Sequence, residues 1–194
     1  MEEIRIVPRM DTLEIHLAGP FHYMRLVFAP GMNILTDAVG GGRGKTTILY
    51  CAAAAATACW PAEHQSSLRS RTKVIAETGA SIYIFEPNQR GIAAGSLNRG
   101  DGRSSLQVRS RAIRSIWVAL MAAPAHSLLL MDGDILGVMD HCQLQQAVQL
   151  LAASPTQKLM VVPQPLVGHF NGLPCRLFTL ERGNEKVQYC CADL

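Results

Sequence analysis

The chain has 194 residues, of which 48% are hydrophobic and 17% charged, and its formal net charge is +3. This length is typical of one domain with a sizeable core, and the hydrophobic content with so little net charge excludes the disordered class. The longest weakly polar run, residues 46–60, is too short for the roughly 20 apolar residues of a membrane helix, and no signal-peptide pattern opens the chain, so we expect a soluble, cytoplasmic protein (nuclear if eukaryotic).

Short apolar runs separated by proline and glycine occupy the first 36 residues. Their period-two patterning predicts antiparallel strands. The predicted strands are residues 4–7, 13–17, 23–28 and 32–35. A glycine-rich loop follows, and then an alanine-rich helix that begins at Lys45 and ends before Pro61.

The middle of the chain is more polar. Residues 62–72 are predicted to be a loop or the edge of a helix, whereas 73–75 and Ser81–Phe85 form a predicted strand pair around Gly79. Residues 86–104, rich in Gly, Asn, Arg and Ser, are predicted to be a long loop, and loops of that length are usually functional or disordered.

Strand and helix alternate in the second half. The predicted order is a helix over Ser105–Ala122, a buried strand over Ser127–Met131, a helix over 143–152, a buried strand over 158–162, and a hairpin of 177–180 with 187–189. With no internal repeat and no linker, we expect one α/β domain over residues 1–194, in which an N-terminal antiparallel β subdomain adjoins a mostly parallel sheet flanked by helices.

The strongest chemical signal lies between a predicted strand and a predicted helix, Gly40-Gly41-Gly42-Arg43-Gly44-Lys45-Thr46-Thr47. A phosphate-binding loop needs glycines so that backbone N–H groups can face the phosphates, a lysine for their charge and a hydroxyl for magnesium. Lys45 and Thr46 fit these roles, and the helix N-terminus adds a preference for anions. Val39 departs from the pattern G-x-x-x-x-G-K-[ST] at its first glycine. The segment predicts nucleotide binding.

A second signal is the apolar strand Ser127–Met131, which is followed by Asp132. This is the Walker B pattern, in which a buried strand presents a carboxylate to the magnesium shell. Any buried strand can end in aspartate, so the pattern gains weight from its place after the glycine loop. We therefore predict that Thr46 and Asp132 hold the metal.

Four further segments resemble those of a known family. Its strand entering the P-loop is similar to Met32-Asn33-Ile34-Leu35, and its signature segment is similar to Ser104-Ser105-Leu106-Gln107-Val108-Arg109-Ser110-Arg111. Its Walker B and D-loop stretch is similar to Asp132-Gly133-Asp134 through Gly137-Val138-Met139 and Gln143, its switch strand is similar to Met160-Val161-Val162-Pro163-Gln164, and the family is the SMC/RecF group of ABC ATPases. No long heptad segment is present, so the chain resembles a head without coiled-coil arms. The resemblance implies ATP and Mg²⁺ as cofactors, and heads that dimerise with nucleotide between a P-loop and the opposing signature.

Several hydrolytic positions depart from that family. Gly133 replaces the glutamate that activates water, with Asp134 adjacent, and Gln164 stands at the switch histidine, with His169 five residues on. Asp134 and Gln164 are therefore the candidate catalytic residues. Losing a general base typically costs 10²–10⁴-fold in rate, so we expect weak or absent hydrolysis.

The signature and D-loop are also altered. Leu106 and Gln107 replace the signature glycines and Met139 replaces the D-loop aspartate, which leaves Ser105 as the candidate contact to nucleotide in that segment. The resemblance implies a homodimer or a heteromeric complex with another protein, in DNA repair, chromosome maintenance or phage defence. DNA is a candidate partner, because five arginines concentrate charge in one stretch, although a solvated face is the more usual explanation of such a run: Arg99, Arg103, Arg109, Arg111 and Arg114.

Two alternatives stay open. The Asp132-Gly133 pair also resembles RecA-like recombinase paralogues, whose partner would be DNA. The third hypothesis is a scaffold subunit whose P-loop no longer binds nucleotide. The N-terminal strands discriminate, because the ABC interpretation requires residues 4–28 to form a sheet packed beside the P-loop.

Overall fold

Two β-sheets share one buried helix in the computed structural model, which describes residues 4–37, 42, 44–60, 62–87, 105–183 and 186–193. The strands are β1 Ile4–Pro8, β2 Thr12–Ala18, β3 Phe21–Val27, β4 Met32–Asp37, β5 Leu68–Thr78, β6 Ser81–Phe85, β7 Ser127–Met131, β8 Gln157–Val161, β9 Cys175–Gly183 and β10 Lys186–Asp193. The α-helices are α1 Lys45–Thr57, α2 Ser105–Ala122, α3 Asp134–Gly137 and α4 His141–Ala153, and 3₁₀ helices cover Ala62–Ser67 and Gln164–Phe170.

The main sheet has six strands in the order β1-β7-β8-β4-β9-β10. Strands β7, β8, β4 and β9 run parallel, and β1 and β10 pair antiparallel at the two edges. The prediction of antiparallel strands for residues 4–7 and 32–35 is therefore only partly right. β4 is parallel to both neighbours because every one of its residues is buried, as in the centre of a parallel sheet, while β1 pairs with β7, far along the chain.

The second sheet is antiparallel, in the order β3-β2-β5-β6. One face of this sheet is buried and the other is exposed, so β2 and β3 alternate in burial as the sequence predicts. The exposed face carries charged side chains and also the apolar side chains of Tyr23, Val27, Ile82 and Ile84. Strand β5 begins at Leu68, so the prediction of a loop or helix edge over 62–72 is right only up to Ser67.

Helix α1 lies between the two sheets and contacts strands of both. Its buried residues include Ile48, Leu49 and the alanines at 52–55, and a helix that is apolar all round is expected to be buried. The helix ends where Ala58 takes a left-handed conformation (φ 56°) and donates its N–H to the Ala54 carbonyl, which confirms the end predicted before Pro61. Burial also raises the pKa of the Cys51 thiol, so this cysteine is unreactive.

The other face of the main sheet is covered by α2 and α4. Ala112 and Ile116 of α2 and Leu144 and Leu151 of α4 are buried there, in one apolar cluster with the sheet. The predicted alternation of strand and helix and the β9–β10 hairpin are thus confirmed, as is the α/β fold class. None of the helices in the described ranges has the length and apolar composition that a membrane crossing requires.

Candidate nucleotide-binding site

The candidate site lies at the carboxyl ends of β4, β7 and β8, beside the N-terminus of α1. Open parallel sheets bind ligands outside the carboxyl ends of their strands, where the connecting loops diverge. A cleft of about 410 Å³ occupies this place, lined by Asp37, Lys45, Thr46, Asp132, Gly133, Val161, Val162, Pro163, Gln164 and Pro165.

Four predicted site residues line this one cleft: Lys45, Thr46, Asp132 and Gln164. They come from three separate parts of the sequence and meet because α1, β7 and β8 place their ends together. Of the glycine loop, Gly42 and Gly44 are described, both with positive φ (85° and 94°). The predicted nucleotide-binding residues Gly40, Gly41 and Arg43 lie outside the described residues.

The Lys45 ammonium pairs with a carboxylate that the motif does not contain. Its Nζ donates a hydrogen bond to Oδ2 of Asp37, the last residue of β4. The two side chains are 17% and 6% exposed, so the pair is largely shielded from water. The other carboxylate oxygen, Asp37 Oδ1, is buried and has no hydrogen-bond partner among the described residues.

Thr46 and Asp132 meet as the predicted metal pair. The Thr46 Oγ1 hydroxyl donates to Asp132 Oδ2 across 3.5 Å, and the Gly133 N–H donates to Asp132 Oδ1 across 2.6 Å. One hydroxyl and one carboxylate fit Mg²⁺, which prefers oxygen ligands and usually binds one or two carboxylates together with water and phosphate oxygens. The described residues contain no group of three or more His, Cys, Asp or Glu that could hold a metal without such help.

Gly44 joins the loop to α1 at a point that excludes a side chain. A Cβ on Gly44 would lie 2.6 Å from Phe21 Cζ and from Pro20 Cγ, at the turn between β2 and β3. A Cβ on Gly19 of the same turn would lie 3.0 Å from Thr47 Oγ1, so Thr47 packs against this turn. The antiparallel sheet therefore holds the start of α1 in place.

The N-terminus of α1 suits an anion. Gly44 caps the helix with no side-chain hydrogen bond among the described residues, and the first turn contains no acidic residue. Backbone N–H groups of a first helical turn lack partners within the helix, and the helix dipole favours negative charge there. Phosphate oxygens supply the acceptors that such a terminus lacks.

Gly133 has no room for the glutamate of the family pattern. A Cβ there would lie 2.9 Å from Val161 Cγ1 and 3.2 Å from the Val161 carbonyl oxygen. Asp134 begins α3, but its side chain lies outside the described residues. A side chain at position 133 would therefore require Val161 to shift.

Gln164 is held at the edge of the cleft by β4. Its Oε1 accepts a hydrogen bond from Thr36 Oγ1 across 3.1 Å. His169, at the far end of the same 3₁₀ helix, packs instead against His141 of α4, with ring centroids 5.3 Å apart, and it is not among the residues that line the cleft. Gln164 thus lines the cleft and His169 does not, and the assignment of Gln164 to the switch position stays a prediction.

Ser105 is the first residue of α2. Its side chain lies outside the described residues, as do those of Leu106, Gln107, Arg109 and Arg111. The interpretation of this segment as a signature therefore stays a prediction.

Sequence reasoning missed Asp37. An acidic residue at the end of a fully buried strand that enters a P-loop is the signal that could have identified it. Val161 and Pro163, which close the cleft beside Gly133, carry no comparable signal, because their role depends on how close β8 lies to β7.

Comparison with known proteins identifies the fold through solved structures and not through sequence. No protein-family model matches the sequence, and a search of the curated proteins finds no match. Among solved structures, the SMC head domain from Thermotoga maritima has 10% sequence identity and a TM-score of 0.58, covering 96% of this chain and 100% of that one. An SMC head bound to the C-winged helix domain of ScpA has 9% identity and a TM-score of 0.57, covering 96% and 98%. The chain therefore has the fold of an SMC-like ABC ATPase head.

Proposed function

We propose that this chain binds ATP with Mg²⁺ in the cleft and hydrolyses it weakly or not at all, as a subunit of a nucleotide-dependent complex. The observation that carries the proposal is the meeting of Lys45, Thr46, Asp132 and Gln164 in one cleft at the N-terminus of α1. Lys45 and the first turn of α1 would bind phosphate, and Thr46 and Asp132 would hold the metal. Bound Mg²⁺ would neutralise phosphate charge.

Impaired hydrolysis is supported by the missing general base. Gly133 carries no carboxylate, and the contact with Val161 leaves no space for one. Gln164 Oε1 accepts a hydrogen bond from Thr36, and a neutral amide cannot take a proton from water at pH 7. The described residues thus include groups suited to bind phosphate and metal, whereas hydrolysis would depend on Asp134 or on a partner.

The cellular setting rests on the resemblance and the fold. SMC-like heads work in pairs, so we propose a homodimer or a heteromeric complex with an active subunit, in DNA repair, chromosome maintenance or phage defence. One structural neighbour is an SMC head in complex with ScpA, which supports a protein partner. We place the protein in the cytoplasm, or in the nucleus of a eukaryote, and keep DNA as a candidate partner.

Calorimetric titration with ATP and Mg²⁺, alongside a phosphate-release assay, tests this proposal. Lys45→Ala should weaken ATP binding at least about 100-fold, since it removes the positive charge expected to contact the phosphates. Lys73→Ala is the matched control, because Lys73 lies on β5, paired with Glu86 at 3.0 Å and outside the cleft.

The outcomes separate the hypotheses. Binding by the wild type and by Lys73→Ala, with loss in Lys45→Ala and little phosphate release, supports a nucleotide-binding pseudo-ATPase. Equal affinity in all three proteins contradicts the P-loop assignment. Rapid phosphate release would show that catalytic groups are intact, and Asp134→Asn would then be the first variant to assay.

A scaffold subunit with a vestigial P-loop is the second candidate, favoured by one observation. Lys45 is already paired with Asp37, so the ammonium is not open to phosphate as it stands. No ATP binding by the wild type at millimolar concentration would favour this alternative. The RecA-like alternative is disfavoured, because β2, β3, β5 and β6 form the antiparallel sheet beside α1 that the ABC interpretation requires.

A further inference from the structure

We infer that Asp37 is an internal competitor of nucleotide phosphate, whose carboxylate holds the Lys45 ammonium and must be displaced before phosphate can bind there. Asp37 would thereby set the affinity of the site and make it select the magnesium complex of a nucleoside triphosphate over the metal-free form. This inference rests on the proposed function and deepens it.

The first support is the contact itself. Lys45 Nζ donates to Asp37 Oδ2, and 6% of the Asp37 side chain is exposed. A charge-assisted hydrogen bond of this kind is about twice as strong as one between neutral groups. An incoming phosphate therefore has to replace an existing interaction rather than meet a solvated lysine.

The second support is the unpaired oxygen. Asp37 is among the residues that line the cleft, and its Oδ1 atom is buried with no hydrogen-bond partner among the described residues. An unsatisfied buried acceptor is costly, and an unsatisfied carboxylate oxygen facing a phosphate would be costlier still. Within the described part of the chain, Lys45 is therefore the one hydrogen-bond partner of the Asp37 carboxylate, and it contacts a single oxygen.

The third support is the charge of the cleft. Among its described lining residues, Lys45 is the one cation, while Asp37 and Asp132 are carboxylates. A metal-free triphosphate would add several negative charges to a site that is already net negative in these residues, and bringing like charges together disfavours binding. A divalent cation between phosphate, Asp132 and Thr46 offsets that repulsion, which is the reason to expect selection for the magnesium complex.

The test is calorimetric titration of ATP in Mg²⁺ and, separately, in EDTA. Asp37→Asn keeps the shape of the side chain and removes its charge. We expect it to tighten ATP binding in EDTA about 10- to 100-fold and binding in Mg²⁺ by a smaller factor, so that the ratio of the two affinities narrows. Asp11→Asn is the matched control, because Asp11 is about half exposed, pairs with Arg9 at 3.7 Å and lies outside the cleft. It should leave both affinities unchanged.

Unchanged or weaker binding in Asp37→Asn, with wild-type binding intact, overturns the inference and leaves the proposed function standing. Binding by Asp37→Asn where the wild type binds nothing supports the inference and contradicts ATP binding by the wild-type chain. Absence of binding in both proteins overturns the proposed function. If Asp37→Asn does not fold, Asp37→Ser serves the same purpose.

Thermal unfolding without nucleotide tests the ion pair separately. Lys45→Met leaves the Asp37 carboxylate buried without its cation, and we expect the melting temperature to fall by roughly 5–15 °C. The double variant Asp37→Asn/Lys45→Met should recover most of this loss. The pairing on which the inference rests is overturned if Lys45→Met has the same melting temperature as the wild type. It is also overturned if the double variant has a melting temperature as low as that of Lys45→Met.

Discussion

Lys158 shows how a single residue can be charged, buried and still compatible with the fold. It lies on β8 with 1% of its surface exposed, and its Nζ donates to the Ser154 carbonyl across 2.6 Å. Ser154 caps the C-terminus of α4, where the helix dipole favours a cation. Burial nevertheless lowers the pKa of Lys158 to about 8, because leaving water disfavours the charged form.

This lowered pKa predicts a rise of stability at alkaline pH. Between pH 8 and the ordinary lysine pKa of 10.5, the unfolded chain holds a proton on Lys158 that the folded chain has released. Unfolding free energy therefore increases with pH across this window and is independent of this group below it. Relative to Lys158→Met, the wild type should gain up to about 3 kcal/mol between pH 7.5 and pH 10.5 in urea titrations.

The matched control for that experiment is Lys73→Met, which replaces a lysine that is 42% exposed. It should show the same change with pH as the wild type. Identical pH profiles for the wild type and Lys158→Met would mean that the Lys158 ammonium is hydrated and that its pKa is not lowered.

At the scale of elements, α1 depends on small side chains because it is enclosed on two sides. Ala54 is fully buried in the cluster between the sheets. Ala54→Leu should lower the unfolding free energy by about 1–3 kcal/mol through overpacking, a fall in melting temperature of roughly 2–12 °C. Differential scanning calorimetry measures the change. Ala152→Leu on the exposed surface of α4 is the control and should stay within about 0.5 kcal/mol of the wild type.

If Ala54→Leu and Ala152→Leu have the same melting temperature, the space between the sheets is loosely packed and α1 is not rigidly held. That result would also weaken the argument that the fold positions Lys45 and Thr46. The two measurements together therefore test whether the enclosure of α1 supports the site.

The same elements show what sequence alone can predict. Period-two alternation identified β2 and β3, and the continuous apolar runs identified β7 and β8, because these patterns follow from which faces of a strand are buried. The pattern could not predict that β1 pairs with β7 or that β4 runs parallel to its neighbours. The partner of a strand depends on contacts between residues more than 90 positions apart. The P-loop lysine was predictable from its motif, whereas its pairing with Asp37 depends on where the loop folds back over β4.

At the scale of the whole molecule, α2 packs against the main sheet on one face and leaves apolar side chains exposed on another. Ala112 and Ile116 are buried against the main sheet. Trp117, Val118 and Met121, on the second half of the helix, are 51%, 49% and 70% exposed. The helix that begins at Ser105 thus has one face in the core and another open to solvent. The exposed face of such a helix can contact another subunit without disturbing the residues that are packed in the core.

The resemblance to SMC/RecF heads predicts that ATP joins two heads through the segment at Ser105. With Mg²⁺ and ATP, sedimentation velocity should show a dimer, and Ser105→Arg should abolish it by placing a bulky cation where the opposing nucleotide is expected. The ATP affinity of the isolated chain should not change, because Ser105 would contact the nucleotide of the partner.

Ser66→Arg, at an exposed position of the first 3₁₀ helix, is the control and should dimerise as the wild type does. A dimer that persists in Ser105→Arg contradicts the signature role of this segment. A wild type that binds ATP and stays monomeric instead favours a heteromeric complex, in which another subunit supplies the facing site.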